Sequence, residues 1–537
     1  MSISNILNKY QLDPTVVTKY FILFLLATIV PTIYIFVTNH IWEDFFITFR
    51  HSQNLAEGNG LVFNPGERVH GFTSPINTIL PALTYIITGK SGYEPALALY
   101  RVVSIMAFAF GITYFFYKLG QYTTAGLLPK IFLFILLTLE VKTVVYAANG
   151  QEAGFLALFL LPLAILVRYE PNRWLLIGAL CAGLQYTRPD GVIYYGSIIA
   201  VNFLFSDNKK HFIRCLLPRY AAVCTALYLP WFITMWMYYG SPVPNTIVAK
   251  SHYGNFSKLF IIDQINMVLA NIPYAFSRIY LPIYFHFGGW PPLYNIFAFI
   301  IGFFSFFYWL LPTKETLPRV FSAIFAILTL YLAYLNASAA VFPWYQPPAA
   351  LIGLVTFVLG INSLIRQFKI SKTITTLSIT SLYLAFSLVT VSLFYNVTKQ
   401  LKYQQDIIEN NQRMQIGLWL NKNSIEGETI YLEPLGYIGY FSQRKMLDYP
   451  GLVSPSIIKL IAKHGPLQHN AIITDAKPDW VVLRPREAQV AQQILGEKYT
   501  LKKGFDVLPE IAKVKDEIYG IGYLVADSQF LIYKRKE

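Results

Sequence analysis

The sequence has few charged residues and very little cysteine. Only 13% of its 537 residues are Asp, Glu, Lys or Arg, whereas 55% are hydrophobic, and the mean hydropathy is +0.44. This balance excludes an ordinary soluble enzyme and predicts a polytopic α-helical membrane protein. The cysteines, Cys181, Cys215 and Cys224, form no CxxC pair. They therefore predict neither a disulfide framework nor a thiolate metal site.

Acidic residues are scarcer than basic ones, with 29 Asp and Glu against 43 Lys and Arg, so the net charge is +14. Much of the positive charge lies in short clusters between apolar runs, not in one patch. Such clusters are typical of loops that stay on the inner side of a membrane. We therefore expect membrane lipids as partners, and no nucleic acid.

The apolar runs predict about eleven membrane spans. The first, Val16–Thr38, leads into Asn39 and His40 and not into a small-residue cleavage site, so we interpret it as a retained span. With eleven spans every inner connection is basic, and the N-terminus is cytoplasmic. The other ten spans are expected at residues 95–118, 129–146, 152–168, 173–187, 191–205, 219–239, 293–312, 319–336, 346–365 and 373–396.

Residues 74–88 are apolar but are not counted as a span. They number about 15, they include Pro75 and Pro81, and counting them would move every later basic loop to the outer side. We predict a helix that lies along or dips into the outer leaflet.

The polar segments between spans then share the outer side. The largest is an outer loop at residues 39–94, which begins with the adjacent acids Glu43 and Asp44 and has turn formers at residues 57–60. Ionisable groups beside a membrane span are costly unless they face water or a ligand, so this loop is a candidate reaction site. The alternative is an ordinary solvated loop.

After residue 396 the composition becomes polar. We expect a transmembrane domain at residues 1–396 and a soluble α/β domain at 397–537, also on the outer side. The pattern predicts a helix at 397–421, a strand at 429–433, a turn-rich run at 436–442 and further strands at 480–483 and 522–533.

Several motifs resemble those of C-type, multi-span glycosyltransferases, most closely the group that includes the mycobacterial terminal arabinofuranosyltransferase. The longest is WEDFFITFRHSQNLAEGNGLVFNPGERVHGFTSP in the first outer loop. In chain order the others are NGQEAGF, TRPDG, PNTIVAKSHYG, WYQPP, YLEPLGYIGYFS, DYPGLVSP and PDWVVL. The resemblance implies the C-type fold, an inverting transfer from a polyprenyl-phosphate sugar, and a periplasmic C-terminal domain that covers the site.

Carried onto this sequence, the resemblance implies Asp44 as the catalytic base, Glu43 as its neighbour and Glu152 as a second acid. Where that group has two aspartates, this chain has Glu43 and Asp44. Carboxylate oxygens could bind magnesium, manganese or calcium, but no cage of ligands is evident, so a divalent cation stays an open question.

The residue types suggest further roles, each with a simpler alternative. A departing phosphate needs cations, and Lys and Arg suit it as a point charge and a bidentate fork. An ion pair that fixes a helix start is the alternative for Arg188 with Asp190, a helix-dipole partner for Glu152, and an aromatic belt for Trp344 and Tyr345. The phosphate candidates are Arg50, Arg188, Lys250, His252 and Arg278, and the sugar-binding candidates are Asp190, Trp344 and Tyr345.

Together these features predict a glycosyltransferase in the bacterial inner membrane that acts on an envelope glycan or lipid, such as lipopolysaccharide. The alternatives are a transferase that acts on protein, a lipid-linked sugar flippase or transporter, and a receptor or scaffold. A transporter is expected to have repeated halves and ionisable groups near the bilayer midplane. The sequence shows no repeat, and its charged residues collect at one face, with the C-terminal domain above them.

Overall fold

The computed structural model describes residues 13–251, 259–338, 341–367 and 372–537. Most of the chain is helical. The helices that precede the small sheet are α1 Pro14–Thr38, α2 Glu43–Glu57, α3 Ile76–Ile87, α4 Tyr93–Tyr122, α5 Leu127–Thr138, α6 Val141–Ala148, α7 Ala153–Tyr169, α8 Trp174–Thr187, α9 Gly191–Leu204, α10 Lys209–Tyr239, α11 Asn245–Ser251, α12 Ile261–Arg278, α13 Pro292–Leu310, α14 Thr316–Ser338, α15 Pro347–Gln367, α16 Lys372–Tyr403 and α17 Met414–Asn423.

The junction between α1 and α2 brings Glu43 and Asp44 to the end of a membrane helix. Asn39 ends α1 in the left-handed conformation (φ 42°), and its N–H donates to the Ile35 carbonyl at 2.8 Å. Helix α2 then begins at Glu43, so Glu43 and Asp44 occupy its first turn, where negative charge is favourable. Gly58 ends α2 at φ 88°, which confirms the predicted turn at 57–60.

The predicted spans coincide with helices, but their lengths differ. Within the described residues, seven helices are long and apolar enough to cross a membrane, and the bent pair α5 and α6 would make an eighth. Three other predicted spans form apolar helices of 14 to 17 residues: α7, α8 and α9. The chain is therefore a multi-pass membrane protein, and a total of eleven spans stays a prediction.

Helix α3 corresponds to the segment that we did not count as a span. It has 12 residues, and Leu83, Ile86 and Ile87 are exposed along it. Its inner side packs on α2, where the Ser52 hydroxyl donates to the Thr78 carbonyl at 2.6 Å. The helix is confirmed, while its position in the outer leaflet stays a prediction.

A continuous helical rod leads from the last apolar helix into the C-terminal region. Helix α16 passes into a π-helical stretch, Gln404–Arg413, and then into α17. Beyond it lie, in chain order, β1 Thr429–Leu432, α18 Gly436–Ser442, β2 Lys445–Asp448, α19 Pro455–His464, α20 His469–Ala476, β3 Trp480–Leu483, α21 Pro485–Val490, α22 Gln492–Lys498, β4 Tyr499–Asp506, α23 Leu508–Val514, α24 Ile521–Ala526 and β5 Gln529–Arg535.

The strands form one mixed sheet in the order β2-β1-β3-β5-β4. β1 is parallel to β2 and β3, and β5 is antiparallel to β3 and β4. The predicted strands at 429–433 and 480–483 are confirmed. Two other predictions are wrong. The run at 436–442 is helix α18 and not a series of turns, and residues 521–526 are helical, so the last strand begins only at Gln529.

The loop at residues 39–94 and the C-terminal sheet share a hydrophobic core. Ile47 of α2 and Phe63 of the following loop pack in the same buried cluster as Leu432, Val482 and Ile532. Alternate residues of β1, β3 and β5 face this cluster, as the two-residue period of a strand requires. The loop that carries the acids is therefore fixed against the C-terminal region.

Candidate active site

Glu43 and Asp44 line a cavity of about 360 Å³, together with side chains from residues 278–287, 341–344 and the C-terminal region. Glu43 is held from the C-terminal side, because the backbone N–H of Gly436 donates to its Oε1 at 2.7 Å. Its Oε2 lies 4.0 Å from Arg413 Nη1. The two adjacent carboxylates therefore share a cavity but have different surroundings.

The pKa values of both acids are raised. Burial raises the pKa of Glu43 to about 8, and the nearby Arg413 only partly opposes this effect. Burial also raises the pKa of Asp44, while the positive charges of Lys250 and then Arg413 oppose it. A carboxyl of pKa about 8 is protonated at neutral pH. Two neighbouring acids with different environments can thus take different roles.

A second buried group of charges surrounds Arg188, in the loop between α8 and α9. Its Nη1 lies 3.0 Å from Glu152 Oε1, and its Nε lies 2.9 Å from Asp190 Oδ1. Its guanidinium carbon lies 4.3 Å from the centre of the Tyr345 ring. The structure therefore brings together four predicted residues. It also contains the ion pair of Arg188 with Asp190 that was the simpler alternative.

Lys250, at the end of the short helix α11, connects these two groups. Its Nζ lies 4.9 Å from the centre of the Phe342 ring and 5.7 Å from that of the Trp344 ring. Burial lowers the pKa of Lys250, and the charge of Asp44 opposes that effect most strongly. Lys250 thus supplies positive charge close to Asp44.

Aromatic side chains form much of the cavity wall. Trp344 lies edge-to-face against Trp42 at 5.9 Å between ring centres, and Tyr284 stacks on Tyr523 at 3.6 Å. A belt at the membrane edge was the simpler reading for Trp344, but its ring lines the cavity. Aromatic faces there can pack against apolar surfaces of a ligand. The aromatic residues of the wall are Trp42, Tyr284, Phe287, Phe342, Trp344 and Tyr523.

The remaining phosphate candidates differ in position. Arg278 lines the cavity, but its guanidinium donates to Asn336 Oδ1 at 2.9 Å and to the Val341 carbonyl at 2.8 Å. It holds the segment that leads to Trp344. His252 lies outside the described residues.

Arg50 is buried away from the cavity lining. Its Nε and Nη2 donate at 3.0 Å to the carbonyls of Phe63 and Arg444, and its Nη1 donates to the carbonyl of Gly439. All three nitrogens therefore bind backbone, and two of these bonds join α2 to the C-terminal region. The structure does not bring Arg50 to the predicted phosphate site.

Sequence reasoning missed the residues that the C-terminal region supplies. Gln404 and Tyr523 line the cavity, and Arg413 lies beside Glu43. The spacing of Glu409 and Arg413 was a usable signal, because an acid and a base four residues apart pair on a helix. Such pairs are usually solvent-exposed, whereas this one is buried.

No metal site can be assigned from the structure. Across the described parts of the chain, no group of three or more His, Cys, Asp or Glu side chains is close enough to hold a metal ion. Glu43 and Asp44 would need ligands from a substrate or from water to bind a divalent cation.

Comparisons with known proteins are consistent with this architecture. Residues 402–533 match a family model described as Domain of unknown function (DUF8728), and no curated protein sequence matches the chain. The chain is similar in structure to ArnT from Cupriavidus metallidurans. The form bound to undecaprenyl phosphate gives a TM-score of 0.55 at 10% identity, with 96% of this chain and 98% of that chain covered.

Two further solved structures give similar values. The apo state of the same ArnT gives a TM-score of 0.56 at 11% identity, again with 96% of this chain and 98% of that chain covered. The oligosaccharyltransferase AglB from Archaeoglobus fulgidus, in complex with an inhibitory peptide and a dolichol-phosphate, gives 0.52 at 12% identity, with 86% of this chain and 69% of that chain covered. The chain thus has the C-type glycosyltransferase fold with a small C-terminal sheet domain.

Proposed function

We propose that this protein is an inverting glycosyltransferase that moves a sugar from a polyprenyl-phosphate donor to an envelope glycan or lipid. The observation that carries the proposal is one aromatic-walled cavity lined by Asp44 and next to Lys250. Such a reaction needs a base for the acceptor hydroxyl and a cation for the departing phosphate. The structural neighbours with bound undecaprenyl phosphate and dolichol-phosphate support a donor of the same kind.

In the proposed reaction, Asp44 accepts the proton of an acceptor hydroxyl while that oxygen attacks the anomeric carbon of the donor sugar. The bond between the anomeric carbon and the phosphate oxygen breaks, and the phosphate leaves with the electron pair. Attack from the face opposite the phosphate inverts the anomeric configuration. Lys250 stabilises the negative charge of the phosphate. Arg188, in the neighbouring buried group of charges, contributes further positive charge.

Glu43 has a separate role in this proposal. Because its pKa is raised to about 8, its carboxyl is neutral at pH 7 and can donate a hydrogen bond. A neutral Glu43 places no second negative charge beside Asp44. This supports Asp44 as the base, as the resemblance implied.

We propose the outer face of the bacterial inner membrane as the place of the reaction, with residues 39–94 and the domain at 397–537 on that side. A function in cell envelope biogenesis follows, with lipopolysaccharide or arabinan as candidate acceptors. The aromatic wall supports a sugar or a prenyl chain as the bound group equally well.

A flippase or transporter is the second candidate, and one observation favours it. Helices α5 and α6 are bent by 49° at a break that contains Glu140, and ionisable groups in broken helices are typical of transporters. However, Glu140 accepts from the Thr143 N–H at 2.7 Å and so caps α6. Lys142 donates to the Arg278 and Ile279 carbonyls at 2.6 and 3.0 Å. Both groups thus have structural partners.

A transfer assay with purified protein tests the proposal. Polyprenyl-phosphate sugars are offered with envelope glycan, lipid and peptide acceptors, and products are identified by mass spectrometry. Asp44→Asn is expected to lower kcat roughly 100- to 10,000-fold, as removal of a general base does. The control is Asp516→Asn, an exposed acid of the C-terminal region. Sugar transfer by Asp44→Asn at the wild-type rate would contradict the assignment of Asp44 as the base.

A further inference from the structure

The cation nearest to Glu43 comes from the opposite end of the chain. Arg413 is 2% exposed and ends the π-helical stretch Gln404–Arg413, a kind of helix that is frequent at functional sites. Its Nη1 donates to both carboxylate oxygens of Glu409, at 2.9 and 3.0 Å, and lies 4.0 Å from Glu43 Oε2. Its Nη2 pairs with Asp527. Three carboxyl groups thus surround one guanidinium.

This guanidinium is itself held in place by a buried network. Asp527 also pairs with Arg484 Nε, and Arg484 binds Glu487 through Nη1 at 2.8 Å and pairs with Glu433. Partners on both sides fix the position of Asp527 and therefore of Arg413. A planar guanidinium held in this way is preorganised and loses little entropy when it binds a further carboxylate.

Glu43 has little freedom to move away from Arg413. The Gly436 N–H donates to its Oε1, which leaves Oε2 on the side of the guanidinium. A methyl group at position 436 would overlap the Glu43 carbonyl, so this position favours glycine. The C-terminal region thus contacts Glu43 at two independent points.

We propose that Arg413 is a positioning residue that sets the orientation and charge of Glu43, so that the C-terminal domain determines how the acid pair acts. This inference rests on the proposed function for its catalytic meaning. Glu409, Asp527 and Glu43 compete for the single guanidinium of Arg413. Glu409 and Asp527 pair with Arg413, and their negative charges oppose its effect on Glu43. Removal of one of these two charges therefore lets Arg413 stabilise an ionised Glu43 more strongly.

Other charged groups face Glu43 and must be kept constant in a test. Asp44 follows it on α2, and the neighbouring residues of the π-helical stretch contribute Glu409 and Arg413. Charged or titratable groups elsewhere around the cavity are Lys250, Arg278, Tyr284, His286 and Tyr523. None of these is altered in the variants below except Glu409 and Arg413.

Infrared difference spectroscopy can follow the proton on Glu43 without any substrate. The C=O stretch of a protonated carboxyl is recorded as a function of pH, and the difference between the wild type and Glu43→Gln assigns the signal of Glu43. Glu409→Gln is expected to move the titration of Glu43 to lower pH by about one unit, and Arg413→Met to higher pH by a similar amount. Arg535→Met, which alters an exposed arginine, is the control.

Arg413→Met leaves two buried carboxylates without their cation and so risks misfolding. Glu409→Gln and Arg413→Lys are therefore measured beside it, and thermal melting reports whether each variant folds. A folded Glu409→Gln variant with the wild-type titration, or with a shift to higher pH, overturns the inference. Arg413→Lys keeps the charge but loses the fork, so we expect a titration between those of the wild type and Arg413→Met.

The transfer assay separates this inference from the proposed function. In that assay Arg413→Lys is expected to lower kcat about tenfold with the donor KM unchanged, because Arg413 acts through Glu43. In the Glu43→Gln background the same change is expected to have no further effect. If the titration shifts but the wild type transfers no sugar, the proposed function is wrong and the positioning of Glu43 stands. If sugar is transferred and the titration does not shift, the positioning role is wrong.

Discussion

Glu43 and Asp44 are adjacent in the chain, but only Glu43 touches the C-terminal region through a hydrogen bond, at the Gly436 N–H. Asp44 instead has Lys250 as its strongest favourable charge. An acid near the ammonium of Lys250 stays ionised more readily than one whose nearest cation also pairs with two other carboxylates. The difference in role that we propose for the two acids therefore follows from a difference in their neighbours.

This asymmetry has a measurable effect on stability. The pKa of Glu43 is raised from its ordinary value of 4.5 to about 8 in the folded protein, so the folded state binds more protons than the unfolded state between these values. Its contribution to stability is fully present below about pH 4.5 and is lost as the pH rises through about 8. The melting temperature of the wild-type protein is thus expected to fall as the pH rises from about 4.5 to about 8.

Between about pH 4.5 and 8 the melting temperature of Glu43→Gln is expected to fall less than that of the wild type, because glutamine does not titrate. Glu57→Gln, an exposed position at the end of the same helix, is the matched control. Parallel melting curves for wild type and Glu43→Gln at every pH would contradict the raised pKa.

At the scale of elements, α2 is joined to the C-terminal region by Arg50. Its guanidinium donates to carbonyls of residues 63, 439 and 444. A buried carbonyl that loses its donor costs about 1–3 kcal/mol. The function of Arg50 is therefore expected in stability and not in binding of the donor phosphate.

Arg50→Met is accordingly expected to lower the melting temperature and to speed proteolysis of the C-terminal region. The donor KM of the folded fraction should be unchanged. Arg68→Met, which alters an exposed arginine of the loop at residues 39–94, provides the comparison. A normal melting temperature combined with a strongly raised donor KM would instead support Arg50 as a ligand of the donor phosphate.

These elements also show what a single sequence can predict. The acids, Lys250 and Trp344 were chosen as candidates because each lies in a polar segment between apolar runs, and such segments meet at a membrane surface. The pattern of polar and apolar segments does not show which way a side chain points. For this reason Arg50 was assigned to the donor phosphate. Asp527 lies 114 positions from Arg413, and no local pattern indicates their contact.

The helical run at 436–442 was misread for a related reason. Its two glycines suggest turns, but tertiary contacts outweigh local preference. Gly436 lies against Glu43, and Gly439 lies against Phe63 and Met446, so close packing explains these residues.

At the scale of the whole molecule, the cavity is formed by segments from the beginning, middle and end of the chain. Trp42, Trp344 and Tyr523 all line it. A ligand that fills this cavity binds the folded state alone, so it should stabilise the whole protein by mass action.

Undecaprenyl phosphate is therefore expected to raise the melting temperature, with a stabilisation of roughly 2.7 kcal/mol at a hundred times its Kd. Undecaprenol, which has no phosphate, should stabilise less. Lys250→Met should reduce the difference between the two lipids, whereas Lys513→Met, at an exposed position of the C-terminal region, should not. Equal stabilisation by both lipids in the wild type would argue against a phosphate site.

The core shared by the loop at residues 39–94 and the sheet also constrains biosynthesis. Ile47 is synthesised early, but Phe530 and Ile532, which belong to its cluster, are synthesised much later. Contacts between such distant positions form late, because the intervening chain must first be ordered. This part of the packing of α2 therefore forms only after β5 has been synthesised. A nascent chain that ends before β5 has Glu43 and Asp44 but lacks these packing partners of α2.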